Sequence, residues 1–486
     1  MNPPIISLRH RLPIWLIPAL WTLVLGSWGL SRQHSVWRDE AATWQVAERS
    51  TAQIWHMLGQ VDAVHGLYYL FMHGLFTCFG PSTTALRLPS VLAMAVAAGC
   101  VTVIGRRLAG GWAGLGGGLA FGLLPAVQFQ LQEGRPYALV TAGAGVSTLL
   151  LVTALTARRQ RPGLWVAYGG VVLVCGLLNW LSLLILPAHL VTLAWTRSGR
   201  GLWKRWAVAS AVGTACVVPL ILFTRSQSQQ VSWIPPLSWH MLIGPAVLLA
   251  IGGLGALTDR RRGSDPSVAT VGFPLLAVPQ IALIGISLIR PMFLERYILF
   301  SYLGLALLIG TTLGAAVRAA TPRFPRAYVF LLPAILTAAT VALLPQSLVK
   351  RSPASRVDDV LAIASDVQRL KRPGAGVLFV PAARRDTKSV SPDAFTGLRD
   401  IALVESPEAS GTLKGVEADP VRIRAAMLAQ TEILLVTDAP EAASTVTSAR
   451  DKAKLSVLDK HFKVVTTEQD RGRQVTVYRR LGPARS

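Results

Sequence analysis

Asp39 and Glu40 stand side by side in SVWRDEAATW (35–44), directly behind the first long apolar run of the chain. Ionisable groups at the edge of an apolar segment are costly, so they are functional candidates by default. Three other stretches set charges in the same way. VDAVHGLYY (61–69) carries Asp62 and His65, LQEGRPYAL (131–139) carries Glu133 and Arg135, and IRPMFLERYIL (289–299) carries Arg290, Glu295 and Arg296. Brought to one face, they make a site of paired carboxylates among several cations. That set suits transfer of a sugar from a lipid phosphate to a hydroxyl. A phosphate leaving group needs positive charge more than a general acid, and the accepting hydroxyl needs one base, for which a carboxylate serves. A glycosidase needs an acid and a second carboxylate at a defined separation. No D-x-D motif of the metal–nucleotide kind occurs, so a lipid-borne donor suits these residues better than a nucleotide sugar.

The elements that must position them are membrane helices. The 486 residues are 52% hydrophobic and 15% charged, with a mean hydropathy of +0.46. About 20 helical residues cross a ~30 Å hydrocarbon core. Runs of that kind at 12–30, 86–105, 110–128, 137–157, 163–180, 181–196, 206–224, 241–257, 268–289, 297–316 and 327–345 predict a polytopic α-helical membrane protein of about eleven transmembrane helices. The first run follows Arg9 and Arg11 and has no small-residue cleavage site, so it reads as a retained helix. With the N-terminus cytoplasmic, the inner loops carry basic clusters such as Arg106-Arg107, Arg158-Arg159, Lys204-Arg205 and Arg260 to Arg262. That is the bias of the positive-inside rule. The formal net charge of +23 is spread over these loops rather than gathered on one face, which argues against a nucleic-acid partner. GLYYLFMHGLFTCF (66–79) is short for a crossing, and counting it would break the charge parity. It reads as an interfacial helix in a long first outer loop.

After Pro345 charge of both signs becomes frequent and no membrane-length run remains. The expected division is a transmembrane catalytic domain, 1–345, and an extracytoplasmic soluble α/β domain, 346–486. In the latter VDDVLAIASDVQRLKRPG has helical spacing, GVLFVP and EILLVTD read as buried strands, and FKVVTTEQDRGRQVTVYRR as a hairpin.

SVWRDEAATW resembles the Asp-Glu signature of the GT-C superfamily of membrane glycosyltransferases, which includes protein O-mannosyltransferases and lipid A aminoarabinose transferases. DAVHGLYYL resembles their H-P-P-L-Y-Y-like segment, with Gly66 in place of the prolines and one residue fewer. ALRLPSVLAMAVAAGCVTVIGRRLAG (85–110), GRPYAL (134–139) and ERYILFSYLGLALL (295–308) resemble later parts of the same pattern, so the likeness covers residues 12–345. It implies a polyprenyl-phosphate sugar donor and an inverting single displacement, with hexosyl transfer (mannosyl among them) or pentosyl transfer to a protein, glycan or lipid acceptor. It also implies an extracytoplasmic site, and the alanine- and arginine-rich composition suggests a bacterium, so the expected setting is a bacterial plasma membrane and its cell envelope. Carried over by position, Asp39 is the general base and Glu40 its support or the acceptor's guide. His65, Arg135, Arg296 and Arg290 are donor-phosphate ligands, with Asp62, Tyr68 and Glu133 in the substrate's vicinity. Some relatives use a divalent metal, for which Asp39 and Glu40 are the available oxygen ligands.

Blander readings stand beside these. Acids suit a helix's first turn, arginines snorkel, and Trp233 and Trp239 suit interface anchors. Cys78, Cys100, Cys175 and Cys216 lie in apolar runs as small hydrophobes. GLGGGLAFG (114–122) is superficially like a nucleotide fingerprint, but inside an apolar run it predicts close helix packing. The rival function is a transporter or lipid flippase, which places charges near mid-membrane and often carries internal repeats. Neither is seen here.

Overall fold

The structure, a computed structural model, describes residues 13–30, 34–227, 234–259, 265–443 and 445–482. Arg9, Arg11, Trp233 and Arg260 to Arg262 lie outside them.

The chain begins with α1 (Leu16–Ser27). Three short helices follow before the bundle resumes: α2 (Arg38–Ala47), α3 (Thr51–Gln60) and α4 (Gly66–Phe79). The bundle then runs through α5 (Thr83–Ala109), α6 (Gly111–Leu123), α7 (Pro125–Gln130), α8 (Tyr137–Thr156), α9 (Pro162–Leu178) and α10 (Ile185–Trp195). It continues with α11 (Arg200–Ala215), α12 (Val218–Thr224), α13 (Ile243–Leu257), α14 (Val268–Ile289), α15 (Tyr302–Ala320) and α16 (Tyr328–Arg351). By length and composition, seven helices among the described residues can cross a membrane, and three shorter apolar helices accompany them. The run at 110–128 is broken at Leu124, where Pro125 cannot continue the helix and starts α7 instead.

α5, α6, α8 and α15 form the centre, and the glycines of α6 are what lets it in. A Cβ on Gly117 would lie 2.8 Å from the Ala306 carbonyl oxygen of α15, so only glycine allows that backbone approach. Cys100 and Cys175 are core residues, whereas Cys78 and Cys216 are exposed on helix surfaces.

α16 runs on past Pro345 to Arg351 and leads into a small α/β unit. In order it holds α17 (Val360–Leu370), β1 (Gly376–Val380), α18 (Asp386–Val390), β2 (Arg399–Asp400), β3 (Leu403–Glu405), β4 (Val416–Glu417), α19 (Pro420–Leu428), β5 (Glu432–Asp438), α20 (Ala449–His461), β6 (Phe462–Asp470) and β7 (Arg473–Arg480). The main sheet has the order β2-β1-β5-β7-β6, the first three parallel and the last two an antiparallel hairpin. β1 is buried throughout, as its unbroken apolar run requires, while β6 forms an edge with mostly exposed side chains.

This unit rests on the short helices. The Val360 N–H donates to the Val36 carbonyl at 2.7 Å, and Arg49 Nη2 donates to the Thr412 carbonyl at 2.7 Å. Arg356 Nη2 lies 2.8 Å from Glu133 Oε2.

Candidate active site

α2 holds Asp39 in its first turn, where a carboxylate meets the positive end of the helix. The residue before the helix, Trp37, supplies no side-chain cap. The cap comes from the α/β unit: Asp358 Oδ1 accepts from the Arg38 N–H at 3.0 Å. Asp358 is itself held by Arg473, whose Nη2 is 2.9 Å away with both side chains wholly buried. Burial raises the Asp358 carboxyl, but Arg473, Arg38 and the Arg38 N–H outweigh that and hold it below the ordinary range.

Asp39 Oδ2 is 3.0 Å from Arg296 Nη1, and both side chains are partly exposed. The Arg296 guanidinium sits among three rings, 5.9 Å from the Trp37 centroid, 5.7 Å from Tyr137 and 6.0 Å from Tyr297. These contacts fix it by cation–π attraction.

Glu40 faces the other way, as neighbours on a helix must. It is fully buried and takes Arg87 Nε at 2.8 Å on Oε1 and Nη2 at 2.6 Å on Oε2. The Gly134 N–H donates to Oε1 at 2.8 Å. Burial pushes this carboxyl up, but the Arg87 guanidinium, aided by Arg356 and Gly134, brings it below its usual value. Glu40 thus fastens α2 to α5 and to the loop before α8.

A second chain of contacts approaches Asp39 from 62–69. Asp62 adopts φ +59°, a left-handed conformation that Asp tolerates better than most residues. It bonds His65 Nδ1 at 2.8 Å and accepts from the Tyr69 hydroxyl. His65 Nε2 is 3.1 Å from Arg135 Nη2. The ring thus bridges the Asp62 carboxylate on its Nδ1 side and the Arg135 guanidinium on its Nε2 side. Burial raises the Asp62 carboxyl, yet His65, Arg135 and Tyr69 together hold it well below the carboxylate range. Arg135 also reaches the Asp39 carbonyl at 3.3 Å.

Two cavities meet here. One of about 330 Å³ is lined by Asp62, His65, Arg135, Asn179, Trp180 and Tyr297 among others. The other, about 960 Å³, lies between the bundle and the α/β unit. Asp39 and Arg296 line both.

No family model matches the chain, and no curated protein matches it by sequence. Solved structures do match by fold. ArnT from Cupriavidus metallidurans in its apo state has a TM-score of 0.63 at 14% identity, covering 95% of this chain and 97% of that one. ArnT bound to undecaprenyl phosphate gives 0.57 at 16% identity, with coverage of 95% and 97%. An Archaeoglobus fulgidus oligosaccharyltransferase with Zn and sulfate gives 0.48 at 11%, with coverage of 88% and 68%. The chain shares the fold of the ArnT structures.

Within this fold, Asp39, Asp62, His65, Arg135 and Arg296 are gathered at the two cavities. Four other sequence candidates are not. Glu40 is buried against Arg87, and Tyr68 is buried in the helix core. Glu133 is buried behind Trp37, whose Nε1 donates to Oε1 at 2.8 Å. Arg290 caps the C-terminus of α14 in an extended conformation, is exposed, and lines neither cavity. Sequence reasoning missed Arg87, which holds Glu40, and Lys350, Arg356 and Arg384, which line the larger cavity. Arg87 stands inside a stretch already singled out, ALRLPS, where an arginine flanked by apolar residues was the available signal. The other three lie at or beyond the end of the last apolar run.

The metal suggestion does not fit. Among the described residues no group of three or more His, Cys, Asp or Glu side chains is placed to hold an ion. Asp39 and Glu40 diverge onto different arginines, so no step is routed through a metal.

Proposed function

We propose that the protein is an integral-membrane glycosyltransferase that moves a sugar from a polyprenyl-phosphate donor to a hydroxyl acceptor outside the cytoplasm. Its similarity in fold to a structure bound to undecaprenyl phosphate supports the donor class. The observation that carries the reading is the Asp39–Arg296 pair, common to the walls of two cavities. One reactant can enter from each side, with base and cation between them.

In this reading the acceptor hydroxyl gives its proton to Asp39 while its oxygen bonds to the anomeric carbon. The bond from that carbon to the phosphate oxygen breaks, and the polyprenyl phosphate leaves with the electron pair. Arg296 and Arg135 take up the charge, with His65 held in place by Asp62. Single displacement inverts the anomeric centre. Glu40, wholly engaged by Arg87, acts by holding α2. The smaller cavity, with Trp180 and Tyr297 beside polar Asn179 and His65, takes the sugar phosphate. The transferred group is a hexose or pentose. Eleven crossings, with the N-terminus cytoplasmic and residues 346–486 outside a bacterial plasma membrane, put these groups at the outer edge, where a transporter's mid-membrane site would not be.

Reconstituted protein supplied with polyprenyl-phosphate sugars tests this. Release of polyprenyl phosphate with an inverted glycosidic product supports it; a retained configuration refutes the single displacement. Reporter fusions at Gln45 and Gly411 test the orientation, and a cytoplasmic Gln45 sinks it.

A further inference from the structure

α9 and α11 pack side by side and run the same way, with Gly169 against Ala209 and Gly213 against Val172. The approach is close: a Cβ on Gly213 would lie 2.8 Å from the Gly169 carbonyl oxygen. Along one side the two helices leave a groove of about 750 Å³, a volume in the range of ligand pockets. Its lining on α11 runs from Lys204 to Cys216. At 1.5 Å rise that is ~18 Å, close to one leaflet of a ~30 Å hydrocarbon core.

The ends of the groove differ in chemistry. Val166, Gly170, Leu173, Val208 and Val212 line most of it, and Val166 and Val208 are 75% and 64% exposed. At one end stand Gln160, Lys204 and Arg205. No acidic residue is on the lining, and among the described residues neither cation has a carboxylate within 4.0 Å. α9 starts at Pro162 and α11 at Arg200, so both helices point their positive ends there, with no acid in either first turn.

The groove is preformed. Its floor includes Trp165 and Ala209, both buried. Trp165 Nε1 donates to Gln160 Oε1 at 3.2 Å, and Gln160 Nε2 donates to the Ala154 carbonyl at 2.8 Å. Behind the floor Trp206 Nε1 donates to the Tyr168 hydroxyl at 3.0 Å, and that hydroxyl is 2.7 Å from His189 Nδ1. His189 Nε2 is 3.0 Å from Thr148 Oγ1. This buried chain ties α8, α9, α10 and α11 together, so little ordering is left for a ligand to impose.

We propose that the groove binds an anionic phospholipid of the surrounding bilayer, its phosphate against Lys204 and Arg205 and one acyl chain along Gly170, Leu173 and Val212. Charge complementarity selects this occupant: an apolar slot one leaflet deep ends in cations without counter-charges, and basic pockets between membrane helices hold such headgroups. The far end of α9, at Leu178, lines the smaller cavity with Asp39. The lipid therefore sits at the opposite end of that helix from the transfer site and holds α9 against α11. The binding needs no sugar donor, so it stands apart from the glycosyl-transfer reading.

The test uses the full-length protein in neutral detergent, titrated with dioleoyl phosphatidylglycerol, dioleoyl phosphatidylcholine and inorganic phosphate, with bound ligand and melting temperature read together. Phosphatidylglycerol is expected to bind at least about tenfold more tightly than the other two and to raise the melting temperature as it binds. Lys204→Glu with Arg205→Glu lowers that affinity about tenfold or more. Arg323→Glu with Arg326→Glu, an equal charge change in the exposed stretch between α15 and α16, leaves it within about twofold. Gly170→Leu fills the groove at a position where a Cβ meets no atom within 4 Å, and lowers phosphatidylglycerol affinity about tenfold. A melt of each variant without lipid shows that it is folded. Four results overturn the proposal: phosphatidylcholine or inorganic phosphate bound as tightly as phosphatidylglycerol; affinity unchanged in the Lys204 and Arg205 double variant; an equal loss in the Arg323 and Arg326 variant, which makes the attraction one of net charge; or affinity unchanged in Gly170→Leu, which places the lipid elsewhere.

Discussion

Replacing Asp358 by Asn tests whether the α/β unit sets the position of α2. Asp358 does three things at once. It caps the Arg38 N–H at 3.0 Å. It faces the Arg38 guanidinium at 3.4 Å, where that side chain is more than a third exposed and the pair is worth little. It also pairs, fully buried, with Arg473. Asparagine keeps the shape and an oxygen for the cap but loses the charge. Arg473 does not become an orphan, because Asp386 Oδ1 remains at 2.6 Å and Oδ2 at 2.7 Å. The loss is therefore less than the ~3–5 kcal/mol of an unpaired buried charge, and about 2 kcal/mol is expected. Asp358→Ala removes the cap as well, adding about 1 kcal/mol.

The assay is a double-mutant cycle with Arg473→Met, read by denaturant unfolding of purified protein. The expected coupling is about 2 kcal/mol. Additivity to within about 0.5 kcal/mol refutes the reasoning. The pH limb has a fixed sign. The folded Asp358 carboxyl lies below its ordinary value, so its contribution is complete above the ordinary aspartate range and is lost as pH falls through the depressed value. Because the cap leads straight into Asp39, Asp358→Ala, which removes it, lowers kcat while leaving donor affinity in place.

Glu40→Gln is expected to destabilise the protein by about 3 kcal/mol, because Arg87 is left buried without its counter-charge, and Glu40→Leu with Arg87→Met recovers much of that in thermal melts. Burial, with Glu40 and Asp39 close by, raises the Glu133 carboxyl to about 7 against the pull of Arg356 and Arg87. Stability therefore falls as pH rises from the ordinary glutamate range to about 7, since the unfolded chain ionises first, and Glu133→Gln flattens that slope in unfolding measured across pH.

What was legible in the sequence followed from local pattern. The continuous apolar runs of β1 and β5 and the alternation of β7 announce strands, and Gly66–Phe79 is a helix with the bounds its apolar run suggests. Asp39, which lines both cavities, stands out in the sequence as an acid at the edge of an apolar run within an order of motifs. The adjacent carboxylates read as a pair, but on a helix neighbours diverge by about 100°, so one serves the cavities and the other the fold. The basic side of the larger cavity was not legible. It depends on ion pairs and caps between residues far apart in the chain, such as Arg38 with Asp358 and Arg356 with Glu133. No periodicity encodes those contacts. Arg384 looks like any surface arginine until the strand ends are seen to face the bundle.

In the proposed reaction Asp39 takes the acceptor's proton at the junction of the two cavities. The most direct measurement is sugar transfer from radiolabelled polyprenyl-phosphate sugars in membranes, wild type beside Asp39→Asn, with undecaprenyl phosphate binding measured on the same preparations. The account predicts transfer by the wild type and a loss of at least about a hundredfold in the variant, with lipid-phosphate binding retained. Transfer undiminished in Asp39→Asn would contradict it and place the base elsewhere.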